Sequence, residues 1–206
     1  DVYKRQLLPC ANDFIIFGKR YQRQEGNPGE NIGYVKSDFD DSEWRHLNLP
    51  HDWAIEGPFN IDYNGSTGKL PYWGIRWYRK TLELSQDDAG KQIYLDIDGA
   101  MSYVSVWCNG QYVGGWPYGY ASFRLDLTPY IKAGQKNVLA IRLDNPDDTS
   151  RWYPGSGIYR NVWLVKTSPV HVEQWGTFVR NQQVDSEIAV MEMGVNIETV
   201  SYTHLR

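Results

Sequence analysis

What constrains this chain most is the two-residue beat of its apolar side chains through the middle of the sequence. Ile93, Leu95 and Ile97 fall on one side of a run that places Gln92, Tyr94 and Asp96 on the other. Val104, Val106 and Cys108 repeat the pattern, as do Phe123, Leu125 and Leu127, and then Leu139, Ile141 and Leu143. A period of two is the signature of a strand, because successive Cβ atoms leave a pleated backbone on opposite faces. Turn chemistry punctuates the runs at Asp87, Asp88, Ala89 and Gly90, at Asp98-Gly99, and most strongly at Asn109-Gly110, the pair favoured in a two-residue hairpin. Residues 128–131 suit a short helical turn. Many short strands without a long helix predict an all-β antiparallel sandwich.

The flanking segments fit around that body. Residues 14–17 are apolar enough for a first strand, and residues 22–33 read as loop. Residues 38–44 hold Asp38, Asp40, Asp41, Ser42 and Glu43 where a turn wants its cap, with Trp44 placed to fold back. Those carboxylates read as a solvated turn rather than an acid/base pair. Residues 47–59 are expected to be extended, closed by Pro50 and by Gly57-Pro58. His51 and Asp52 would then point to opposite faces, which disfavours a proton-transfer pair. Residues 75–84, 111–115 and 161–166 complete the strand set. Thr167, Ser168 and Pro169 look like a boundary, and residues 170–180 and 187–200 are strand candidates that the first sandwich does not need. They are expected to open a second β domain that the sequence cuts short, with strand edges left unpaired.

Composition narrows the function classes. With 21 basic and 25 acidic residues the net charge is −4, and no Lys/Arg run could track phosphates, so nucleic acid is not an expected partner. No apolar run approaches the roughly 18 residues a membrane helix needs, so no membrane partner is expected either. Cys10 and Cys108 make no disulfide framework, and Cys108 reads as a small buried hydrophobe. His46, His51, His171 and His204 show no metal spacing, so neither a metal nor another cofactor is expected in this segment. Aromatics are abundant, with nine Trp, fifteen Tyr and six Phe. Flat rings suit the C–H faces of pyranoses, but sandwich cores use them too.

Residues 144–165 concentrate these features. Asn145-Pro146 opens a turn, Arg151, Trp152 and Tyr153 stand side by side, and Gly155 and Gly157 precede an apolar run. Two readings stand: a loop that offers aromatic faces and a guanidinium to carbohydrate, or a loop that plugs one end of the sandwich with its own aromatics.

Several runs together resemble one family, the amino-terminal sugar-binding domain of glycoside hydrolase family 2, which includes β-galactosidases and β-glucuronidases. They are Leu49, Pro50, His51, Asp52 and Trp53; Trp77, Tyr78, Arg79 and Lys80; Asp98-Gly99 through Trp107, Cys108, Asn109 and Gly110; residues 123–127 and 137–143; and above all Gly155, Ser156, Gly157, Ile158, Tyr159, Arg160, Asn161 and Val162. Their order and spacing cover most of the chain. The resemblance implies a jelly-roll, galactose-binding-like β-sandwich over residues 12–168 and the truncated start of an immunoglobulin-like β-sandwich over 169–206. Residues 1–6 and 200–206 carry no pattern that joins them to their neighbours, and residues 1–11 are set aside as a non-native or disordered end. A (β/α)8 barrel carrying the chemistry is expected elsewhere in a longer chain.

The resemblance also implies a retaining exo-β-glycosidase as the parent, with β-galactosidase favoured and β-glucuronidase or β-mannosidase as alternatives. A retaining mechanism needs two carboxyl groups about 5 Å apart, which the family supplies from the barrel, so no catalytic residue is expected here. Expected partners are therefore a terminal β-glycoside and the catalytic barrel of the same chain, with a homo-oligomer left open for the full-length protein. The substrate-binding candidates are Arg151, Trp152, Tyr153, Asp148 and Asn64. Family members often place a sugar-binding carboxylate six residues before the motif glycine, and here that position holds Arg151. Either Arg151 donates to hydroxyls or to an acidic sugar, or the role passes to Asp148 or to a neighbouring loop and Arg151 forms a salt bridge to the barrel, while Arg160 reads as a structural tie between loop and sheet. Trp152 and Tyr153 either touch sugar or pack the loop, and Asn64 lies where relatives contribute an asparagine. The rival from another class is a free carbohydrate-binding or adhesion module without catalysis.

Overall fold

The computed structural model describes residues 26–63, 74–145 and 155–199. Two antiparallel sheets face each other. Strands β1 (Gly74–Glu83), β6 (Lys136–Asn145), β3 (Val104–Cys108) and β4 (Gln111–Trp116) form one, in the order β1-β6-β3-β4. The other is β5 (Phe123–Asp126), β2 (Gln92–Ile97) and β7 (Val162–Thr167), in the order β5-β2-β7. A two-stranded hairpin, β8 (Val170–Val184) and β9 (Ala189–Thr199), follows. The helical elements among the described residues are short 3-10 turns, one of them Thr128–Tyr130 where a turn is expected.

Alternation sorts the side chains as predicted. Ile93, Leu95, Ile97, Val104, Val106, Cys108, Leu139, Ile141 and Leu143 meet between the sheets in one buried cluster. Full burial of each large aliphatic side chain contributes about 1.5–3 kcal/mol. Burial also pushes the Cys108 thiol up to about 12, so at neutral pH it behaves as a hydrophobe. At Asn109-Gly110 the backbone takes positive φ at both residues, 52° and 80°, and closes β3 onto β4. Asn109 and Asn137 then fasten this end. Asn109 Nδ2 donates to Asn137 Oδ1 at 2.8 Å, and the fully buried Asn137 amide bonds the main chain at Lys132 and Gln135.

The outer face of the four-stranded sheet is covered by the chain before β1. Trp107 donates from Nε1 to the Pro28 carbonyl at 2.7 Å, and the Asn27 side chain brackets the β3–β4 turn through Gly110 and Tyr112. Tyr34 meets Phe39, Trp44 and Trp77 at ring-centroid distances of 5.1, 5.4 and 5.4 Å, so Trp44 does fold back. The carboxylates around it cap and anchor. Asp40 accepts from the Ser42 amide, and Asp41 accepts from Arg79 Nε at 2.7 Å. The Arg79 side chain, 3% exposed, also donates to the carbonyls of Tyr34 and Lys36.

The outer face of the three-stranded sheet is covered only in part. Arg124 grips Asp96 with two bonds of 2.6 and 2.7 Å and lies 4.7 Å over the Tyr94 ring. The start of β8 lays His171 against Tyr94 and reaches Asp96 through Gln174. Tyr94, outward by alternation, is therefore buried. Beyond this contact β8 and β9 pair with each other and stay largely exposed.

Candidate functional site

Antiparallel pairing gathers the loop-bearing strand ends at one end of the sandwich. Gly74 opposes Asn145, Val104 opposes Trp116, and Ile97 opposes both Phe123 and Val162. The connections 64–73 and 146–154 leave from the first of these pairs. All five substrate-binding candidates, Asn64, Asp148, Arg151, Trp152 and Tyr153, lie in those two connections, outside the described residues. So do the strand expected at residues 14–17 and both chain termini.

The stem of the 146–154 connection is built by a clamp. The segment at residues 51–53 runs beside residues 156–158, with the His51 amide donating to the Ile158 carbonyl at 2.8 Å and the Trp53 amide to the Ser156 carbonyl at 2.9 Å. On the other side Met101 and Gly157 exchange amide–carbonyl bonds of 2.9 and 3.2 Å. Gly157 sits between the two at φ 122°, where a Cβ would stand 2.4 Å from the His51 carbonyl oxygen. Only glycine fits there. Asn145 donates from Nδ2 to the Gly155 carbonyl at 3.3 Å and to the Ser156 hydroxyl, which joins the two feet of the connection.

Asp52 and His51 divide the work that the sequence allowed them to share. One Asp52 carboxylate oxygen accepts from the Ala54 amide and from the Ser156 amide, each at 2.9 Å. It caps the 3-10 turn Trp53–Glu56, which interrupts the segment expected to be extended. His51 turns the other way, with Nδ1 2.8 Å from the Tyr78 hydroxyl and Nε2 2.9 Å from Glu56. A glutamate carboxylate only accepts, so Nε2 donates to Glu56. Arg45 grips Glu56 with two bonds of 2.7 Å and, together with His51, holds its carboxyl at about 2. Burial pushes the Tyr78 hydroxyl well above its ordinary value. The histidine and aspartate thus form no proton-transfer pair, and both fix backbone around the stem.

A buried ion pair lies beneath the same feet. Arg142 Nη2 is 3.0 Å from Asp144 Oδ2, and Ser102 and Asp144 exchange two further bonds through Ser102 Oγ and the Asp144 amide. Arg160 is expected to tie loop to sheet, and what the structure shows is a main-chain bond to the turn after β2 that any non-proline residue could make. The Arg160 amide donates to the Gly99 carbonyl at 3.3 Å while its guanidinium lies exposed, 5.9 Å from the Tyr159 ring centre. Sequence reasoning missed the double acceptor role of Asp52, whose partner stands 104 residues away. Its one trace in the sequence is the acidic residue just before an apolar 3-10 turn. Among the described residues no three His, Cys, Asp or Glu side chains gather as metal ligands would.

Comparison with known proteins sets this geometry in context. The family model described as "Glycosyl hydrolases family 2, sugar binding domain" matches residues 35–168. A β-galactosidase of Bacteroides ovatus is 46% identical over 179 residues, covering 85% of this chain and 21% of its own length. A putative β-glucuronidase of Formosa agariphila is 36% identical, covering 89% of this chain and 19% of its own. The crystal structure of a β-glycosidase from Bacteroides vulgatus superposes with a TM-score of 0.76 at 40% identity, over 82% of this chain and 22% of that one. The chain spans about a fifth of the length of these curated relatives.

Proposed function

The chain belongs to glycosyl hydrolase family 2, and from that premise we propose that it is the non-catalytic, sugar-positioning part of a retaining exo-β-glycosidase. The observation that carries this reading is the clamp, in which residues 51–53 and Met101 hold one foot of the 146–154 connection through main-chain bonds and the Asp52 carboxylate, while the Asn145 side chain ties that foot to the other. A rigid stem lets a loop present side chains to a sugar with little further ordering, so that contacts away from the scissile bond hold the substrate for attack. In this reading Arg151 and Asp148 bond sugar hydroxyls, Trp152 and Tyr153 stack or pack beside them, and Asn64 contributes from the opposing connection. The two carboxyl groups that a retaining mechanism requires come from a (β/α)8 barrel, the partner against which this end of the sandwich works.

β-Galactoside is the favoured substrate, because the Bacteroides ovatus relative is named a β-galactosidase. β-Glucuronide is the second reading, supported by the Formosa agariphila name and by Arg151 standing where relatives often place an acid. We also read residues 12–168 as the sugar-binding domain and 169–206 as the start of an immunoglobulin-like sandwich, supported by a hairpin that pairs with itself and leaves Val172, Phe178, Val190 and Ile197 exposed.

Two experiments test the proposal. Reading the gene beyond Arg206 should reveal a barrel with two suitably placed glutamates, and a frame that closes without one would leave the adhesion module. In the full-length enzyme, Arg151→Ala should lower kcat/KM about tenfold or more on p-nitrophenyl β-galactoside or β-glucuronide. An unchanged kcat/KM on every glycoside removes Arg151 from the site.

A further inference from the structure

A second cluster of aromatic and polar side chains lies at the same end of the sandwich, built wholly from described residues. Because Ile97 registers with both Phe123 and Val162, the residues just outside these strands, Asp98, Ser122 and Asn161, follow one another across the end of the three-stranded sheet. With Pro50, Tyr159 and Arg160 they line an open concavity of about 360 Å3.

Its walls are held in place. Tyr159 donates its hydroxyl to the Gly119 carbonyl at 2.8 Å, Ser122 donates to the Asp98 carbonyl at 3.1 Å, and Trp163 donates from Nε1 to Asp98 Oδ2 at 3.0 Å. Beyond this lining stand Tyr118 and Tyr120, 53% and 40% exposed, with ring centroids 5.9 Å apart and Tyr120 6.3 Å from Tyr159. Three polar groups remain open among the described residues: the second carboxylate oxygen of Asp98, the Asn161 amide, and the Arg160 guanidinium, which no described carboxylate pairs.

An acceptor, a forked donor and an amide beside aromatic faces form the set that reads vicinal hydroxyls on a ring with an apolar face. The geometry points to a second carbohydrate site here, for one neutral pyranose of a soluble oligosaccharide. Ring tilt decides against a flat polymer: successive tyrosines incline by 54° and 63°, so they offer no single platform. Asp98 and Arg160 stand on the same wall and offset each other's charge, so the wall offers no net attraction that would offset the desolvation of a charged sugar, and a neutral ring is favoured. The inference does not depend on the function proposed above, whose residues lie in other connections.

The test is a titration of the 15N-labelled 206-residue chain with lactose and, separately, with glucuronic acid. The Trp163 indole Nε1–H serves as reporter because it is bonded to Asp98. Lactose should shift that signal and the amides of residues 118–122 and 159–161 saturably, and glucuronic acid should do so at least several-fold more weakly. Arg160→Ala and Tyr118→Ala, both at exposed positions, should each weaken lactose binding about five- to tenfold, whereas Arg151→Ala should leave it unchanged. The proposal is overturned if lactose leaves the Trp163 signal in place, if Arg160→Ala binds as well as the parent, or if Arg151→Ala abolishes the shifts. Glucuronic acid binding as tightly as lactose would overturn the assignment to neutral sugars.

Discussion

Strands β1 and β6 pair through ten registered residues, and so do β8 and β9, yet the two ladders sit in opposite environments. β6 is buried along nearly its whole length, while in β8 and β9 together Gly176 is the single buried residue among those described. A ladder exchanges bonds to water for bonds to the partner strand, and its net contribution per bond is modest. What separates the two pairs is the apolar area taken out of water. The sandwich encloses an apolar core, and the hairpin is a ladder whose faces are left largely exposed.

The sharpest way to break this contrast is to cut into the core. Leu95→Ala should destabilise the sandwich by about 2–5 kcal/mol, read as a lower urea midpoint with an unchanged slope. Gly157→Ala tests the clamp: at φ 122°, with His51 in the way, it should cost about 1–3 kcal/mol from backbone strain alone. Asp52→Ala removes one acceptor from two amides and should cost about 1–3 kcal/mol, with Asp52→Asn recovering part of the loss.

The fourth test uses acid. The Glu56 carboxyl is lowered from 4.5 to about 2 in the fold, by Arg45 first. Its contribution to stability is therefore fully present above about pH 4.5 and fades as pH falls towards 2. Glu56→Gln should flatten that part of the Tm–pH curve, and an unchanged curve would show the Arg45–Glu56–His51 bonds to be loose in solution. The smallest effect belongs to the hairpin. Ile197→Ala should change stability by no more than about 0.5 kcal/mol. A loss near that of Leu95→Ala would mean that another surface covers β9 in solution.

Much of the sandwich was legible because the responsible interactions are local. Alternation at Ile93, Leu95 and Ile97, the positive-φ pair Asn109-Gly110, and the small buried Cys108 each follow from a few neighbouring residues. The illegible parts arise where distant segments cover a face. Arg79 reads as an outward polar residue of a strand, and only the arrival of residues 34–41 buries it. Tyr94 likewise faces outward by alternation and is buried by His171. At the site end, the sequence placed Gly157 in a motif but could not show that Asp52 accepts from the Ser156 amide. The substrate-binding candidates rest on their side-chain chemistry and on the family resemblance, and their connections lie outside the described residues.

The Asp52–Ser156 bond also bears on the order in which the chain can fold. It closes 104 residues, with nearly the whole sandwich threaded between its partners. During synthesis Asp52 emerges long before Ser156, and most of the strands lie between them. The end that carries the 64–73 and 146–154 connections can therefore close only after β1 to β6 have been synthesised. A chain released before Ser156 can build most of its core and still leave that end open.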